Sequence, residues 1–190
     1  MLAGGSSMTG GIPVIRSGAP GDAARLAVLG AQVWMHTYAT EGVSAVIAAH
    51  VSAEFTEARF AALLSSDAHG VLVAESGRHL IGYAVLAWHA VCPSDPAARL
   101  ELVTLHVQAH FARRGIGTAL LRHSEREARC RTERIWLMVN AANDPAVAFY
   151  ASQGYAKIGT AYFELGDEKH ENHVLARGAT SVENVNRGIA

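Results

Sequence analysis

Residues 110–121 read HFARRGIGTALL, a glycine-containing turn that leads directly into an apolar helix pattern. The preceding segment, LELVTLHV at 100–107, is typical of a β-strand. A helix N-terminus carries unpaired backbone N–H groups and roughly half a positive charge. Glycine removes the Cβ atoms that would keep a phosphate away from those donors. The stretch Arg113–Thr118 therefore predicts a cradle for a diphosphate.

Two common nucleotide-binding motifs do not fit this turn. A Walker-type loop needs a lysine directly after its last glycine, and the chain's only lysines are Lys157 and Lys169. The dinucleotide fingerprint G-x-G-x-x-G needs a glycine where Leu120 stands. We therefore expect neither nucleoside triphosphate hydrolysis nor a Rossmann-type dinucleotide site.

A second motif, NDPAVAFYASQGY, occupies residues 143–155 and has the form N-x-x-A-x-x-F-Y-x-x-x-G-Y. Taken with the strand, the RRGIG turn and the helix, it resembles the GNAT superfamily of acyl-CoA-dependent N-acetyltransferases. The resemblance covers residues 14–177, and the step from Val107 to Gly115 has the family's length. It implies the GNAT fold, acetyl-CoA as the donor and an amine as the acceptor.

One position departs from the family's loop pattern, [Q/R]-x-x-G-x-[G/A]. Ala112 stands where the family has glutamine or arginine, so one side-chain contact to the cofactor is missing. The backbone donors of the loop do not depend on that side chain, and Arg113 or Arg114 is available to compensate. The departure therefore leaves the diphosphate prediction in place.

The resemblance also implies a set of cofactor contacts. The backbone of Leu105, His106 and Val107 would pair with the pantetheine arm as a neighbouring strand does, and one N–H there would polarise the thioester carbonyl. Asn143 matches a cofactor-contacting asparagine, and it is also a candidate N-cap for the helix that follows. The diphosphate would be held by Arg113, Arg114, Gly115, Ile116, Gly117, Thr118 and Ala119.

Tyr150 is the candidate general acid. By resemblance, its hydroxyl reaches the sulfur and protonates the departing thiolate. Reference pKa values near 10 for tyrosine and about 8.5 for a thiol make it a hydrogen-bonding acid of modest driving force. The alternative interpretation is an aromatic side chain that only packs beside Phe149.

The base has three candidates. Glu101 stands six positions before Val107 and matches the glutamate that acts as base in the histone-acetyltransferase branch of the family. His106 is its rival, and the odd spacing places it on the opposite side of a regular strand from Glu101. A bulge, common at this strand in the family, would change that alternation. The third candidate is a chain of waters that delivers a neutral amine.

The acceptor amine should meet the first helix and the segment after it, because the resemblance places them on the substrate side. Trp34, Tyr38 and Glu41 are the candidate contacts there. Aromatic rings of this kind pack well on an aliphatic or cationic amine. Simple core packing of Trp34 and Tyr38 is the alternative.

These motifs need a mixed α/β domain, which the resemblance makes a GNAT fold with a central, mostly antiparallel sheet of about seven strands flanked by helices. The predicted strands are 12–18, 70–76, 79–90, 100–107 and 134–139, followed by YAKIGTAYFEL and HVLAR. The predicted helices are one that begins after Asp22 as N-cap, then 42–51, 55–66, 115–130 and 144–154. We predict one domain at 12–177, between a flexible leader at 1–11 and a tail at 178–190. Met8 is an alternative start to Met1.

Composition restricts the partners and the compartment. The chain has 190 residues and a net charge of −1, which gives no basic field for nucleic acid. No apolar run approaches the ~18 residues of a membrane span. Cys92 and Cys130 fit no disulfide framework, and the ten histidines form no ligand set, so we expect a reducing cytoplasm and no metal. The resemblance to the GNAT superfamily also implies a homodimer.

Three functions follow from these observations. The first is an N-acetyltransferase that acts on a primary amine of a small molecule. The second is a protein or peptide acetyltransferase, acting on an N-terminus or a lysine, which a wide acidic groove would favour over a closed aromatic pocket. The third is a non-catalytic CoA-binding sensor.

Overall fold

A computed structural model describes residues 13–131, 134–165 and 168–177. Its strands form one seven-stranded sheet in the order β1-β2-β3-β4-β5-β7-β6. The strands are β1 Val14–Ser17, β2 His69–Ser76, β3 His79–Trp88, β4 Leu100–Val107, β5 Ile135–Asn140, β6 Tyr155–Leu165 and β7 Glu168–Arg177. The helices are α1 Ala23–Tyr38, α2 Ala45–Glu54, α3 Glu57–Leu64, α4 Ile116–Cys130 and α5 Asp144–Ser152. The predicted mixed α/β architecture, with a mostly antiparallel sheet of seven strands flanked by helices, is confirmed.

The sheet is antiparallel except at its centre, where β4 and β5 run parallel. Their register contains two rungs, Leu100 with Ile135 and Glu101 with Trp136, both at the beginning of β4. Beyond them the two strands diverge. The second half of β4 is therefore paired with β3 on one side and open toward β5 on the other.

Helices cover both faces of the sheet and divide the core. One face packs under α4 and α5, with Leu86, Leu102 and Leu120 among its buried residues. The other face packs under α1 and α3, around Leu26 and Tyr83. The helices and strands of each layer bury their apolar side chains against one another. This burial is the main source of stability in such a domain.

Asp22 occupies the N-cap position of α1, as the sequence predicts. It precedes α1, but its side chain caps no helical N–H group. The buried carboxylate instead accepts the Ala19 N–H at 2.8 Å and pairs with Arg16 at 2.7 Å and with Arg25. Glu75 on β2 contacts both arginines. The cluster thus joins β1 and β2 to the start of α1.

Most other local predictions are confirmed within a few residues. Thr56 caps α3 by accepting the Arg59 N–H at 3.2 Å, although the sequence offered no capping box there. Pro145 lies in the first turn of α5, and Gly154 follows its end with φ +83°. The predicted leader and tail lie outside the described residues. None of the helices in the described ranges combines the length and apolar character that a bilayer crossing requires.

Candidate active site

The loop between β4 and α4 has the backbone of an anion-binding turn. Gly115 caps α4 with φ +79°, and Arg113 also has a positive φ, +60°. Among the described residues, no protein acceptor receives the backbone N–H groups of 113–118; the first bond of the turn is Ala119 N–H to the Gly115 carbonyl, at 2.9 Å. Such a run of unpaired donors at a helix N-terminus favours a bound phosphate.

Gly117 lies where this loop meets the rest of the site. A Cβ built on it would lie 3.6 Å from Cζ of Phe149 and 3.9 Å from Cγ2 of Val107. The loop is therefore in contact with the end of β4 and with α5. Ala112 is exposed, and the Arg114 guanidinium lies over the Phe111 ring at 5.5 Å. Arg113 and Arg114 are exposed as well, so both side chains are accessible to a ligand.

A cavity of about 1060 Å³ opens where β4 and β5 diverge. It reaches from α5 across the end of β4 to the segment between α1 and α2. Eight of the predicted site residues line it: Trp34, Tyr38, Glu41, Leu105, His106, Val107, Asn143 and Tyr150. Glu101 and the loop residues 113–119 are not among its lining residues.

Tyr150 and Asn143 reach the cavity from α5. Tyr150 is buried, with its ring against Phe149 at 5.2 Å and Tyr155 at 5.9 Å. Burial raises the Tyr150 pKa, so the phenol keeps its proton at neutral pH. Asn143 is the N-cap of α5, as predicted, and its Oδ1 accepts the Ala146 N–H at 3.2 Å. Within the part of the chain that the structure describes, its amide nitrogen has no hydrogen-bond acceptor, so it is available to donate to a ligand.

A β-bulge in β4 decides which way the two candidate bases face. Val85 pairs with Thr104 but the next residue of β3, Leu86, pairs with Leu102, so Val103 is the extra residue. Glu101 and His106 consequently lie on the same face of the sheet. The opposite-face expectation for a regular strand is therefore wrong for this strand.

The same two side chains differ in their surroundings. Burial raises the pKa of the Glu101 carboxyl above its usual value. Burial lowers the pKa of the His106 imidazole to about 4, so this ring is neutral at neutral pH. His106 Nδ1 lies 3.0 Å from the Tyr83 hydroxyl. His106 lines the cavity directly, whereas Glu101 lies outside its lining.

Aromatic rings form the far wall of the cavity. Trp34 stacks on His50 at 4.5 Å and contacts Tyr38 at 4.8 Å. Phe163 of β6 meets the edge of His50 at 6.2 Å. Glu41 contributes a carboxylate to the same wall.

Sequence reasoning did not single out His50 and Phe163, which line the cavity, or Tyr83, which contacts His106 from outside the lining. His50 lies within the predicted second helix, and its apolar neighbours gave no functional signal. Phe163 lies on a strand some hundred residues after α2. In the sequence Tyr83 has the pattern of a core strand residue. Only its pairing with His106 across β3 and β4 connects it with the site.

Two similarities to known proteins bear on this site. Residues 35–155 match the model of the acetyltransferase (GNAT) family. An uncharacterized N-acetyltransferase of Mycobacterium tuberculosis is 30% identical over 132 residues, which are 69% of this chain and 81% of that relative. The chain belongs to the GNAT family of acetyltransferases.

Solved structures share this GNAT fold at lower identity. The crystal structure of PaiA N-acetyltransferase from Thermoplasma acidophilum, in complex with coenzyme A, has a TM-score of 0.70 and 19% identity, covering 87% of this chain and 98% of that one. Ribosomal-protein-alanine N-acetyltransferase from Brucella melitensis has a TM-score of 0.62 and 23% identity, covering 86% and 98%. At these identities the likeness concerns the fold.

As a GNAT enzyme, the protein is an acetyltransferase and takes its acetyl group from acetyl-CoA. The described residues fit that cofactor. The loop 113–118 offers unpaired N–H donors of the kind a diphosphate needs. The open side of β4 offers main-chain groups to the amides of a pantetheine arm.

Proposed function

We propose that this GNAT enzyme transfers the acetyl group to a primary amine of a small molecule, by direct attack in a ternary complex. The observation that carries the proposal is the aromatic wall of the cavity. Trp34, Tyr38, His50 and Phe163 come from three separate elements and face one space. A pocket walled by rings encloses a small ligand better than it follows an extended chain.

The charge of the wall favours an amine. Among the described residues that line the cavity, Glu41 carries a carboxylate and none is lysine or arginine. The faces of Trp34 and Tyr38 attract a cation as well. A protonated amine is therefore drawn toward the cavity before it loses its proton.

Acetyl-CoA would lie between the α4 loop and the open side of β4. The N–H groups of 113–118 would hold its diphosphate, and Gly117 keeps the approach to them free of a side chain. The backbone of Leu105, His106 and Val107 would align its pantetheine arm, with Asn143 donating from α5. What the cofactor supplies is an acetyl thioester directed at the cavity.

The transfer needs the amine proton removed and the leaving sulfur protonated. We assign the second task to Tyr150, because this residue lines the cavity and burial keeps its hydroxyl protonated at neutral pH. We assign the first to Glu101, acting through water, because this carboxylate lies on the same face of β4 as the cavity-lining His106 but outside the lining itself. Its raised pKa makes it a stronger base than an exposed glutamate.

A peptide acceptor is the second candidate. Val43 is 66% exposed and Val46 is 45% exposed at the rim of the cavity, where an apolar side chain of a peptide would find contact. The Brucella melitensis neighbour is by name a protein acetyltransferase.

We also propose, from family resemblance, that the protein is a homodimer and that it is cytoplasmic.

Turnover of acetyl-CoA over a panel of acceptors tests the proposal. The panel contains small primary amines, free amino acids and peptides with free N-termini or lysines. We expect small amines that carry an aromatic or aliphatic body to have the highest kcat/KM. Trp34→Leu should then raise KM for the amine and leave KM for acetyl-CoA unchanged. Peptides turned over far better than every small amine would contradict the proposal.

A further inference from the structure

A buried tyrosine contacts the histidine of the cavity. Tyr83 on β3 pairs with His106 on β4, and the Tyr83 hydroxyl lies 3.0 Å from Nδ1 of His106. The two rings meet edge to face with centroids 5.3 Å apart. Tyr83 is 1% exposed, held by Phe60 at 5.7 Å, and an added Cβ on Gly30 would lie 2.7 Å from its hydroxyl. Its hydroxyl therefore has little freedom to move.

The direction of this hydrogen bond follows from the partners that each group has. The His106 contact is the one hydrogen bond of the Tyr83 hydroxyl among the described residues. If Nδ1–H donated to the phenol oxygen, the phenol proton would stay buried without an acceptor, which costs free energy. If the phenol donates instead, Nδ1 accepts and both groups are satisfied. The second arrangement is the favoured one.

We propose that Tyr83 is a positioning residue that holds His106 as the neutral tautomer protonated at Nε2, so that the imidazole presents a hydrogen-bond donor to the cavity. The inference rests on the proposed function for its chemistry. Nδ1 is engaged by Tyr83, and the ring lines the cavity, so Nε2 is the nitrogen that meets a ligand.

This arrangement changes the role that His106 can have. An imidazole with its Nε2 protonated and its Nδ1 occupied has no free lone pair, so it cannot take the proton of the amine. It can donate to an oxygen of the bound reactants, either the reacting carbonyl or an oxygen of the acceptor. The role of base then falls to Glu101 through water.

The electrostatics of the two side chains agree with this tautomer. Burial lowers the His106 pKa to about 4 and raises the Tyr83 pKa, so both side chains are neutral at neutral pH. A neutral phenol is a good donor and a neutral imidazole nitrogen is a good acceptor. The pair therefore needs no charge to form.

Nitrogen-15 NMR of the histidine side chains tests the tautomer without any turnover. We expect His106 of the wild-type protein at neutral pH to carry its proton on Nε2. In Tyr83→Phe, which keeps the ring and removes the hydroxyl, the two tautomers should mix. A wild-type proton on Nδ1 would overturn the proposal, whatever the substrate of the enzyme is.

Two substitutions of His106 test the donor role. Glutamine places an amide N–H near the position of Nε2, whereas asparagine is too short to do so. We expect His106→Gln to stay within about tenfold of wild-type activity and His106→Asn to lose about 10²–10³-fold, the scale of losing one donor to the reacting oxygen. A loss in kcat would indicate that His106 donates to the reacting carbonyl oxygen. A rise in KM for the amine would indicate that it donates to an oxygen of the acceptor. Equal losses in the two variants would contradict the donor role.

Discussion

Glu101 and His106 lie on the same face of β4, although an odd number of positions separates them. Val103 is responsible, because the bulge at that residue shifts the alternation of side chains between them. The face they share with Tyr83 is the one under α1 and α3. One added residue in the strand thus places a carboxylate and an imidazole on the side where the acceptor amine would bind.

Glu101→Gln should lower kcat/KM and remove the acid limb of its pH profile. A base becomes active as pH rises through its pKa, and the pKa of Glu101 lies above the usual value. The same change should raise Tm at neutral pH, because it removes a carboxylate that burial makes costly to ionise. Exposed Glu127 of α4 offers the matched control, Glu127→Gln, which should do neither. An unchanged pH profile in Glu101→Gln would exclude this base.

Tyr150→Phe should reduce kcat by about 10²-fold or more while CoA affinity stays as in the wild type. The substitution removes the proton donor and retains the ring that packs on Phe149 and Tyr155. Tyr162 is 58% exposed, and the Lys169 ammonium lies over its ring. Tyr162→Phe is therefore the same chemical change away from the cavity. Steady-state kinetics of both variants provide the measurement. Equal rates for Tyr150→Phe and Tyr162→Phe would contradict the assignment.

Two substitutions at Gly117 separate volume from charge in the phosphate cradle. Alanine fits, because the added Cβ would meet Phe149 and Val107 at ordinary contact distances of 3.6 and 3.9 Å. Glutamate adds bulk and a negative charge where a diphosphate would approach. We expect calorimetry to show CoA binding in Gly117→Ala and none in Gly117→Glu. Similar affinity in both would place the diphosphate elsewhere.

The Asp22 cluster predicts a loss of stability in acid. Arg16 hydrogen-bonds to Asp22 and lowers the Asp22 pKa from 3.8 to about 2. A carboxylate of this kind stabilises the fold above its unfolded pKa, and that stabilisation is lost as pH falls from about 4 to about 2. This pKa shift corresponds to a contribution of about 2 kcal/mol to the free energy of unfolding.

Denaturant unfolding at several pH values tests that prediction. The free energy of unfolding of Asp22→Asn should depend less on pH between 4 and 2 than that of the wild type. Asp67 is exposed, so Asp67→Asn should keep the wild-type dependence. An Asp22→Asn curve parallel to the wild type would show that the cluster does not carry the acid sensitivity.

Local patterns were sufficient to predict the elements and the backbone of the turn before α4. The alternation in 100–107, the glycines of the RRGIG turn and the Pro145 and Gly154 at the ends of α5 are all signals read within one segment. The loop backbone observed at Arg113 and Gly115 is the kind that those glycines predict. Structural features that depend on a short stretch of chain were therefore predictable.

The rest of the site depends on contacts between distant segments. Tyr83 acquires its partner only through the β3–β4 register, and Phe163 reaches His50 from the far end of the chain. In LELVTLHV the bulge at Val103 leaves only a change of phase, from apolar Leu100 and Leu102 to apolar Leu105 and Val107, and the β3–β4 register is needed to recognise it. Asp22 holds the predicted N-cap position, but its carboxylate pairs with Arg16 of β1, a contact between segments that no signal within the helix indicates.

A crystal structure with acetyl-CoA is the most direct test of the account. It should show the diphosphate within hydrogen-bonding distance of the backbone N–H groups of 113–118, the pantetheine arm along Leu105 to Val107, and the sulfur beside the Tyr150 hydroxyl. A diphosphate bound away from that loop, or a Tyr150 hydroxyl directed away from the sulfur, would contradict it.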